Sequence, residues 1–487
     1  MILLGLLACT DGTEDGPDSD RLETAEPVSD GWVLSDPIPC TDPAPSPSWT
    51  PITMDLISWT DPPDAGTLAL ADGPEGVELI TLMEGQTHRW DRFGKVTSGG
   101  EGGNAIAVVD LDQDGTLDEL IIDDRDMVLA WGGGERVPLF KGTNIPRDAV
   151  VGDYDGDGWL DVAVVYFIPP TDPPDQALVV LSGGPERQFS PRVYSTVDIG
   201  GWGMPFDATA VDIDGDLDLD LYVCNDFGED LLSNFLLENR GGEFVRAEDQ
   251  RGANVALNCM GSSMTDVNGD GFPDLYLGGT QNHFLLLGGS VGFIDVTAAS
   301  GLPGFEPFQM VWSSHIVDLD NDGLPDLLGA TSDFTTNDPN RDPDYFASWA
   351  LFQGPDGVFE ERDIGLPKDG GGRAVLGYDA NRDGIVDVAL LEWHQPPTWL
   401  MSDHCTANNW IEVEAPLATR VSVWVDGEQV VGWVSIEPGT MESHPAVLHL
   451  GLGEHETVDR VVLRMPNRGE VSLEGPFESR RRVSWSP

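Results

Sequence analysis

The chain has 487 residues, with 25 Lys and Arg against 85 Asp and Glu and a formal net charge of −60. That balance excludes a nucleic-acid binder that works by neutralising phosphates, which needs a basic face, and it disfavours docking on anionic lipid. Apolar residues make up 40 %, with 58 Gly and 36 Pro, so short strands and many turns are expected over two to three domains.

In chain order, Met1 to Ala8 is almost wholly apolar and ends in Leu6-Leu7-Ala8-Cys9. This resembles a bacterial lipoprotein signal, and the resemblance implies cleavage before Cys9 and lipid on that cysteine. Thr10, not Asp, follows it, which by the same resemblance sends the mature chain to the outer membrane or cell surface; without the lipid the expected destination is secretion. No other run approaches the ~18 apolar residues that span a bilayer. From Thr10 to Asp42 ten acidic residues face one basic residue, Arg21, among four prolines, so residues 10–48 are expected to be an extended, self-repelling tether. Beyond Cys9 four cysteines remain, Cys40, Cys224, Cys259 and Cys405. Two disulfides then have three connectivities. Cys224 with Cys259 and Cys40 with Cys405 is the favoured pairing, and four buried thiols are the other reading.

One nine-residue segment recurs six times. Its copies carry oxygen side chains at Asp110, Asp112, Asp114 and Asp118; at Asp153, Asp155, Asp157 and Asp161; and at Asp212, Asp214, Asp216, Asp218 and Asp220. The series continues at Asp266, Asn268, Asp270 and Asp274; at Asp318, Asp320, Asp322 and Asp326; and at Asp379, Asn381, Asp383 and Asp387. Successive copies start 43, 59, 54, 52 and 61 residues apart. Oxygens at positions 1, 3 and 5 of a tight turn converge, a Gly at position 6 permits the turn, and a carboxylate at position 9 closes the shell. Such a shell suits calcium, in up to six sites. Magnesium demands a stricter octahedron, and the lack of imidazole or thiolate disfavours transition metals. An ion-free turn would leave several carboxylates repelling one another. Loop three departs from the pattern with Leu217 at position 6, which predicts a strained site.

The flanks of these loops are apolar and β-branched, as in Ala105 to Val109 and Val162 to Phe167, so each loop sits in a hairpin and not between EF-hand helices. A second element, an apolar pair followed by a Gly-rich turn and an aromatic residue, recurs at Leu129 to Phe140, Val180 to Phe189, Leu236 to Phe244, Leu285 to Phe293 and Leu351 to Phe359. Four strands every ~50 residues make a propeller blade. Segments such as VCNDFG, MGSSMTDVNGDGFPDLYLGG and VDLDNDGLPDLL resemble the FG-GAP or VCBS repeats of integrin-α-like β-propellers found in cartilage acidic protein-like chains. That resemblance spans residues 50 to 400 and implies a calcium-bound propeller, usually seven-bladed. One period back from Asp110, Met54 to Trp59 and Val77 to Met83 read as strands without an acidic loop. The expected fold is therefore all-β: a seven-bladed propeller over residues 49–402 with six readable calcium loops, followed by a small β-rich domain.

After residue 403 the period stops and alternating strands begin at Trp410, Arg420, Val430, Val447 and Val458. NNWIEV, VLHLGLG and VDRVVLRMPNRG resemble the ASPIC/UnbV domain that follows such propellers, which gives residues 403–480 as that domain and 481–487 as a solvated tail. Gly288 to Gly292 matches a GxSxG nucleophile elbow but occupies a recurring hairpin turn, and the elbow needs a strand-to-helix turn. Trp202, Trp312, Phe308 and Trp349 are candidates for a binding surface or for packing between blades. No catalytic residue is assigned. The expected function is a monomeric, non-catalytic, calcium-binding surface protein that holds an extracellular protein or glycan, with no nucleic acid and with membrane contact only through the lipid. The alternative is an exported calcium-dependent hydrolase or lyase acting on polysaccharide or phosphoester.

Overall fold

The structure, a computed structural model, describes residues 26–486 except for short stretches, the longest being 55–65, 169–174, 334–345 and 436–441. The lipid-bearing cysteine expected at Cys9 and the side chain of Trp202 lie outside the described residues. Among the described residues the regular structure is strand, apart from three single-turn 3-10 segments.

Strand Asp161–Phe167 shows how the chain builds its ring. Val162, Val164 and Tyr166 pack in one apolar cluster with Ala107, Leu120 and Leu129, while Ala163 and Val165 pack in the next with Leu221 and Phe235. Side chains alternate along a strand, so a strand lying between two stacked sheets needs apolar residues on both faces. Six four-stranded antiparallel sheets have as innermost strands Ala105–Val109, Ile145–Gly152, Met204–Val211, Cys259–Thr265, Gln309–Val317 and Gly372–Tyr378. Another sheet precedes them, running from Gly66–Gly73 through Gly76–Met83 and Gln86–Trp90 to Val96–Glu101. The innermost strands neighbour one another in this order, and Gly372–Tyr378 returns to Gly66–Gly73, so the sheets close into a β-propeller. Trp49–Pro51 pairs with Thr398–Ser402 and completes the last sheet from the N-terminal side. Of the strands expected before the first acidic loop, Val77 to Met83 falls within Gly76–Met83, and residues 55–59 lie outside the described residues.

The C-terminal region is a two-sheet sandwich. Ile411, Val413 and Val483 of one sheet meet Val421, Val423, Val461 and Leu463 of the other. Two expectations are corrected by this sheet. Within the segment read as a tether, Glu26–Ser29 and Trp32–Leu34 are strands, and Trp32–Leu34 pairs with Arg481–Trp485. Nor is residues 481–487 a solvated tail: Arg481–Trp485 lies between Trp32–Leu34 and Asn409–Glu414, and buried Arg482 pairs with buried Glu412 at 2.8 Å. The acidic composition hid a short apolar strand at Trp32, and the run of arginines hid a partner 70 residues away. Disulfides join Cys40 to Cys405 and Cys224 to Cys259.

The sandwich also reaches into the propeller. Glu442–Ser443 adds as a parallel strand to Gly66–Gly73. Ser443 accepts the Val108 N–H at 3.3 Å, and Glu442 accepts the Val375 N–H at 3.0 Å and the hydroxyl of Ser313. The His444 ring stacks at 5.9 Å from His315 and 5.7 Å from Tyr378. This strap touches innermost strands of four sheets and so fills part of the hub.

Candidate metal centres

All six nine-residue loops join an innermost strand to its neighbour, on one face of the ring. Position 9 has a role beyond ligation. Its Oδ2 accepts the N–H of position 2 in every copy: Leu111 on Asp118 at 2.9 Å, Tyr154 on Asp161 at 2.8 Å, Ile213 on Asp220 at 3.0 Å, Val267 on Asp274 at 2.8 Å, Leu319 on Asp326 at 2.9 Å and Ala380 on Asp387 at 2.9 Å. Its Oδ1 accepts an N–H from the following hairpin, from Gly132, Gly183, Asn239, Gly288, Gln353 and Ser402 respectively, at 2.6–2.9 Å. Each buried Asp thus clamps its loop to the next turn of the same sheet. The Gly288 to Gly292 segment is one of these turns, within the hairpin from His283–Leu287 to Ile294–Asp295.

Position 1 closes the loop. Its Oδ2 accepts the N–H of position 6, at 2.9 Å from Gly115, 3.0 Å from Gly158, 3.1 Å from Leu217, 2.7 Å from Gly271, 2.8 Å from Gly323 and 2.7 Å from Gly384. Position 5 accepts from the N–H of position 7, as Asp114 does from Thr116 at 2.9 Å. Position 6 has positive φ throughout, including Leu217 at 74°. Position 4 does as well, at Gln113, Gly156, Gly215, Gly269, Asn321 and Arg382, a requirement the sequence pattern left unread because four residue types fill it.

One carboxylate oxygen from each of positions 1, 3 and 9 lies within 4.8 Å of the other two in loops one, two, three and five. Two oxygens each ~2.4 Å from one calcium ion are at most ~4.8 Å apart, so these sets fit one such ion. Asp153 Oδ1, Asp318 Oδ1 and Asp320 Oδ1 are buried without a hydrogen-bond partner, as expected of oxygens kept for a cation. Loops four and six have Asn at position 3, and there the amide bridges to position 5: Asn268 Nδ2 to Asp270 at 3.2 Å and Asn381 Nδ2 to Asp383 at 3.0 Å. Asp218, counted above with the loop-three oxygens, instead accepts the N–H of Gly241 at 3.2 Å and lies outside the convergent set.

The electrostatics agree with the geometry. Burial, opposed by backbone hydrogen bonds and reinforced by the facing carboxylates, raises Asp161 and Asp274 to about 7, Asp220 to about 8 and Asp266 to about 6. Burial and neighbouring carboxylates also push Asp318, Asp326, Asp379 and Asp387 well above the usual carboxylate range. Arginines relieve the outer side at position 3 in three loops: Arg187 on Asp112, Arg251 on Asp214 at 3.2 Å and Arg362 on Asp320 at 2.9 Å.

The sandwich sits on this same face. Arg420 donates to the Gly271 carbonyl at 3.0 Å, Asn408 to the Asp320 carbonyl at 3.0 Å, and the Gly453 N–H to the Asn321 carbonyl at 2.9 Å. His449 Nε2 lies 2.7 Å from Asn321 Oδ1.

Among curated proteins none matches this sequence. Solved structures to which the chain is similar include the β-propeller domain of Cps50 (Swd1) from Myceliophteria thermophila, at 10% identity and TM-score 0.41, covering 70% of this chain and 98% of that one. Catalytically inactive virginiamycin B lyase from Staphylococcus aureus with quinupristin matches at 9% identity and TM-score 0.44, over 73% and 99% of the two chains. An Agrocybe aegerita lectin that recognises non-reducing terminal N-acetylglucosamine matches at 14% identity and TM-score 0.38, over 86% and 96%. Family models match twice within the ring, as FG-GAP-like repeat over residues 212–277 and 266–329, and once in the sandwich, as ASPIC and UnbV over residues 414–481. The chain is therefore a β-propeller protein with FG-GAP-like repeats followed by an ASPIC and UnbV domain.

Proposed function

We propose that this chain is a calcium-stabilised, non-catalytic surface protein whose propeller holds an extracellular protein or glycan. The supporting observation is the repeated loop: six copies keep the same spacing of oxygen side chains, and in four of them three carboxylate oxygens lie within 4.8 Å of one another. In this reading positions 1, 3, 5 and 9 hold the ion. The ion supplies the positive charge that buried, mutually repelling carboxylates otherwise lack. Export fits both a calcium-rich compartment and the two disulfides, and lipid on Cys9 is the proposed anchor.

Calorimetric melting of the full chain in calcium and in excess chelator tests the metal part. Each independent site adds about 2.7 kcal/mol at free calcium ~100 times Kd, so several together rival the ~5–15 kcal/mol typical of a domain. The melting temperature is expected to fall sharply on chelation, and an unchanged melt rejects the proposal.

A further inference from the structure

The opposite end of the hub carries a second constellation. Five successive innermost strands each have a register shift near their start, between Pro146 and Asp148, Pro205 and Asp207, Cys259 and Gly261, Val311 and Ser313, and Gly372 and Ala374. The residues at the shifts are Arg147, Phe206, Met260, Trp312 and Arg373. Each stands six positions before the first Asp of its loop. A bulge re-aims a side chain, and such devices gather next to functional sites.

These side chains form a connected ladder. The Arg147 guanidinium lies 4.9 Å from the Phe167 ring and 5.4 Å from that of Phe206, whose ring is 6.2 Å from Trp312. Arg373 lies 3.8 Å over Trp312 and 4.7 Å over Trp393, and the Trp312 indole N–H is fixed on Ser332 at 2.6 Å. Phe206, Met260, Met310 and Trp312 form one apolar cluster.

Arg373 differs from several other arginines of this chain, while Arg147 is attracted by Asp226. Arg89, Arg187, Arg251, Arg362 and Arg482 all meet carboxylates, as expected where acids outnumber bases so heavily. Arg373 is 6% exposed, yet its Nε and Nη1 have no hydrogen-bond partner, and neither does Nε of Arg147. Stacking on indole faces attracts the cation but leaves its in-plane N–H groups unused. Burial and the neighbouring Arg147 hold Arg373 down at about 9, so it stays charged at neutral pH. Of the acids deeper in the hub, Asp148 and Glu442 are pushed up by burial and by the neighbouring Asp207.

We propose that this bulge ring binds a carboxylate-bearing ligand, its carboxylate held on the Arg373 fork with Arg147 adding attraction and the aromatic and Met side chains receiving the ligand's body. The planar fork, already immobilised between two indoles, matches a planar carboxylate and gains two charge-assisted hydrogen bonds from it. The inference rests on reading the propeller as a binding module and names the chemistry it recognises.

Isothermal titration of the full chain in saturating calcium with acetate, D-glucuronate and sulfate tests it, with the calcium-dependent melt recorded separately so that failure of the metal reading is seen by itself. Glucuronate is expected to bind. Arg373→Met should weaken it tenfold or more, Arg373→Lys less and Arg147→Met several-fold, with the Met variants melting at or above the wild-type temperature because an unpaired buried charge is gone. Acetate binding as tightly as glucuronate assigns a small acid; tighter glucuronate assigns an acidic sugar. Binding of sulfate alone, binding of no carboxylate by a protein that melts normally in calcium, or equal glucuronate affinity in the Met variants overturns the proposal.

Discussion

Leu217 isolates what a single residue contributes to a candidate metal loop. It keeps φ at 74°, as the glycines at the same position do, and its N–H still reaches Asp212 at 3.1 Å. The loop has therefore kept its shape against the preference of a branched side chain for negative φ. That conformation costs about 1 kcal/mol relative to Gly. Leu217→Gly is thus expected to gain that amount once, as stability of the ion-free fold where the loop keeps its shape without the ion, or as about fivefold tighter calcium where the loop takes that shape only on binding, read by melting and calorimetric titration beside the wild type. A variant that neither melts higher nor binds tighter removes strain as the reason for a weak third site. The spacing of the oxygens was legible in the sequence because all six copies keep it. The second bond of each position-9 Asp was not, since its N–H donor lies between 14 and 27 residues further on, a separation set by the length of each hairpin.

At the level of elements, the strands of the ring were legible from apolar runs between acidic turns, because stacking on both sides leaves no polar face to blur them. Short strands whose partners are distant in the chain were not. Trp32–Leu34 and Arg481–Trp485 pair across the whole length of the protein, and the acids and arginines around them point to solvent when read alone. The candidate surface aromatics divided in the same way. Trp312 stands in the bulge ring and Phe308 is exposed, whereas Trp349 is buried against Tyr276 as packing between sheets. The Glu442–Ser443 strap was hidden too, for its polar residues fit a loop until the hub supplies their partners. Glu442 is fully enclosed, and burial raises it well above the usual carboxylate range, which favours its neutral form. Glu442→Gln keeps a carbonyl for the Val375 N–H and is expected to change stability by less than about 1 kcal/mol, whereas Glu442→Ala should lose about 1–3 kcal/mol by leaving the site unfilled. Chemical unfolding of both variants decides this, and equal losses would mean that the carboxylate is charged.

Across the whole molecule, charge, the candidate metal loops and domain contact meet on one face. The loops that gather carboxylates also carry the sandwich, through Gly271, Asp320 and Asn321, so whatever neutralises the loops also orders the contact. Protons and calcium compete for this task, and the pH dependence of stability separates them. Without calcium, Asp161, Asp220, Asp266 and Asp274 hold protons up to about 6–8 in the folded chain but release them near 4 once unfolded. A folded pKa that is raised gives stability that is present at low pH and is lost as pH rises through that value. The chelated protein should therefore lose stability progressively as pH rises from about 4 to about 8. Histidines act in the opposite direction. His283 and His444 are buried and lowered to about 4, and burial also holds His315 well below its usual value, so their contribution is present above about 6.5 and lost as pH falls toward 4. In the proposed reading calcium replaces the protons on the carboxylates but leaves the histidines untouched. The loaded protein should thus hold a level melting temperature from pH 6.5 to 8 and lose it only on acidification, when protons displace the ion as well as charge the histidines. Melting curves across pH 5 to 8, with calcium and with chelator, should separate above pH 6 and converge below it. Parallel curves would show that the carboxylates carry the same charge with and without the ion, and would remove the metal from the account of this face.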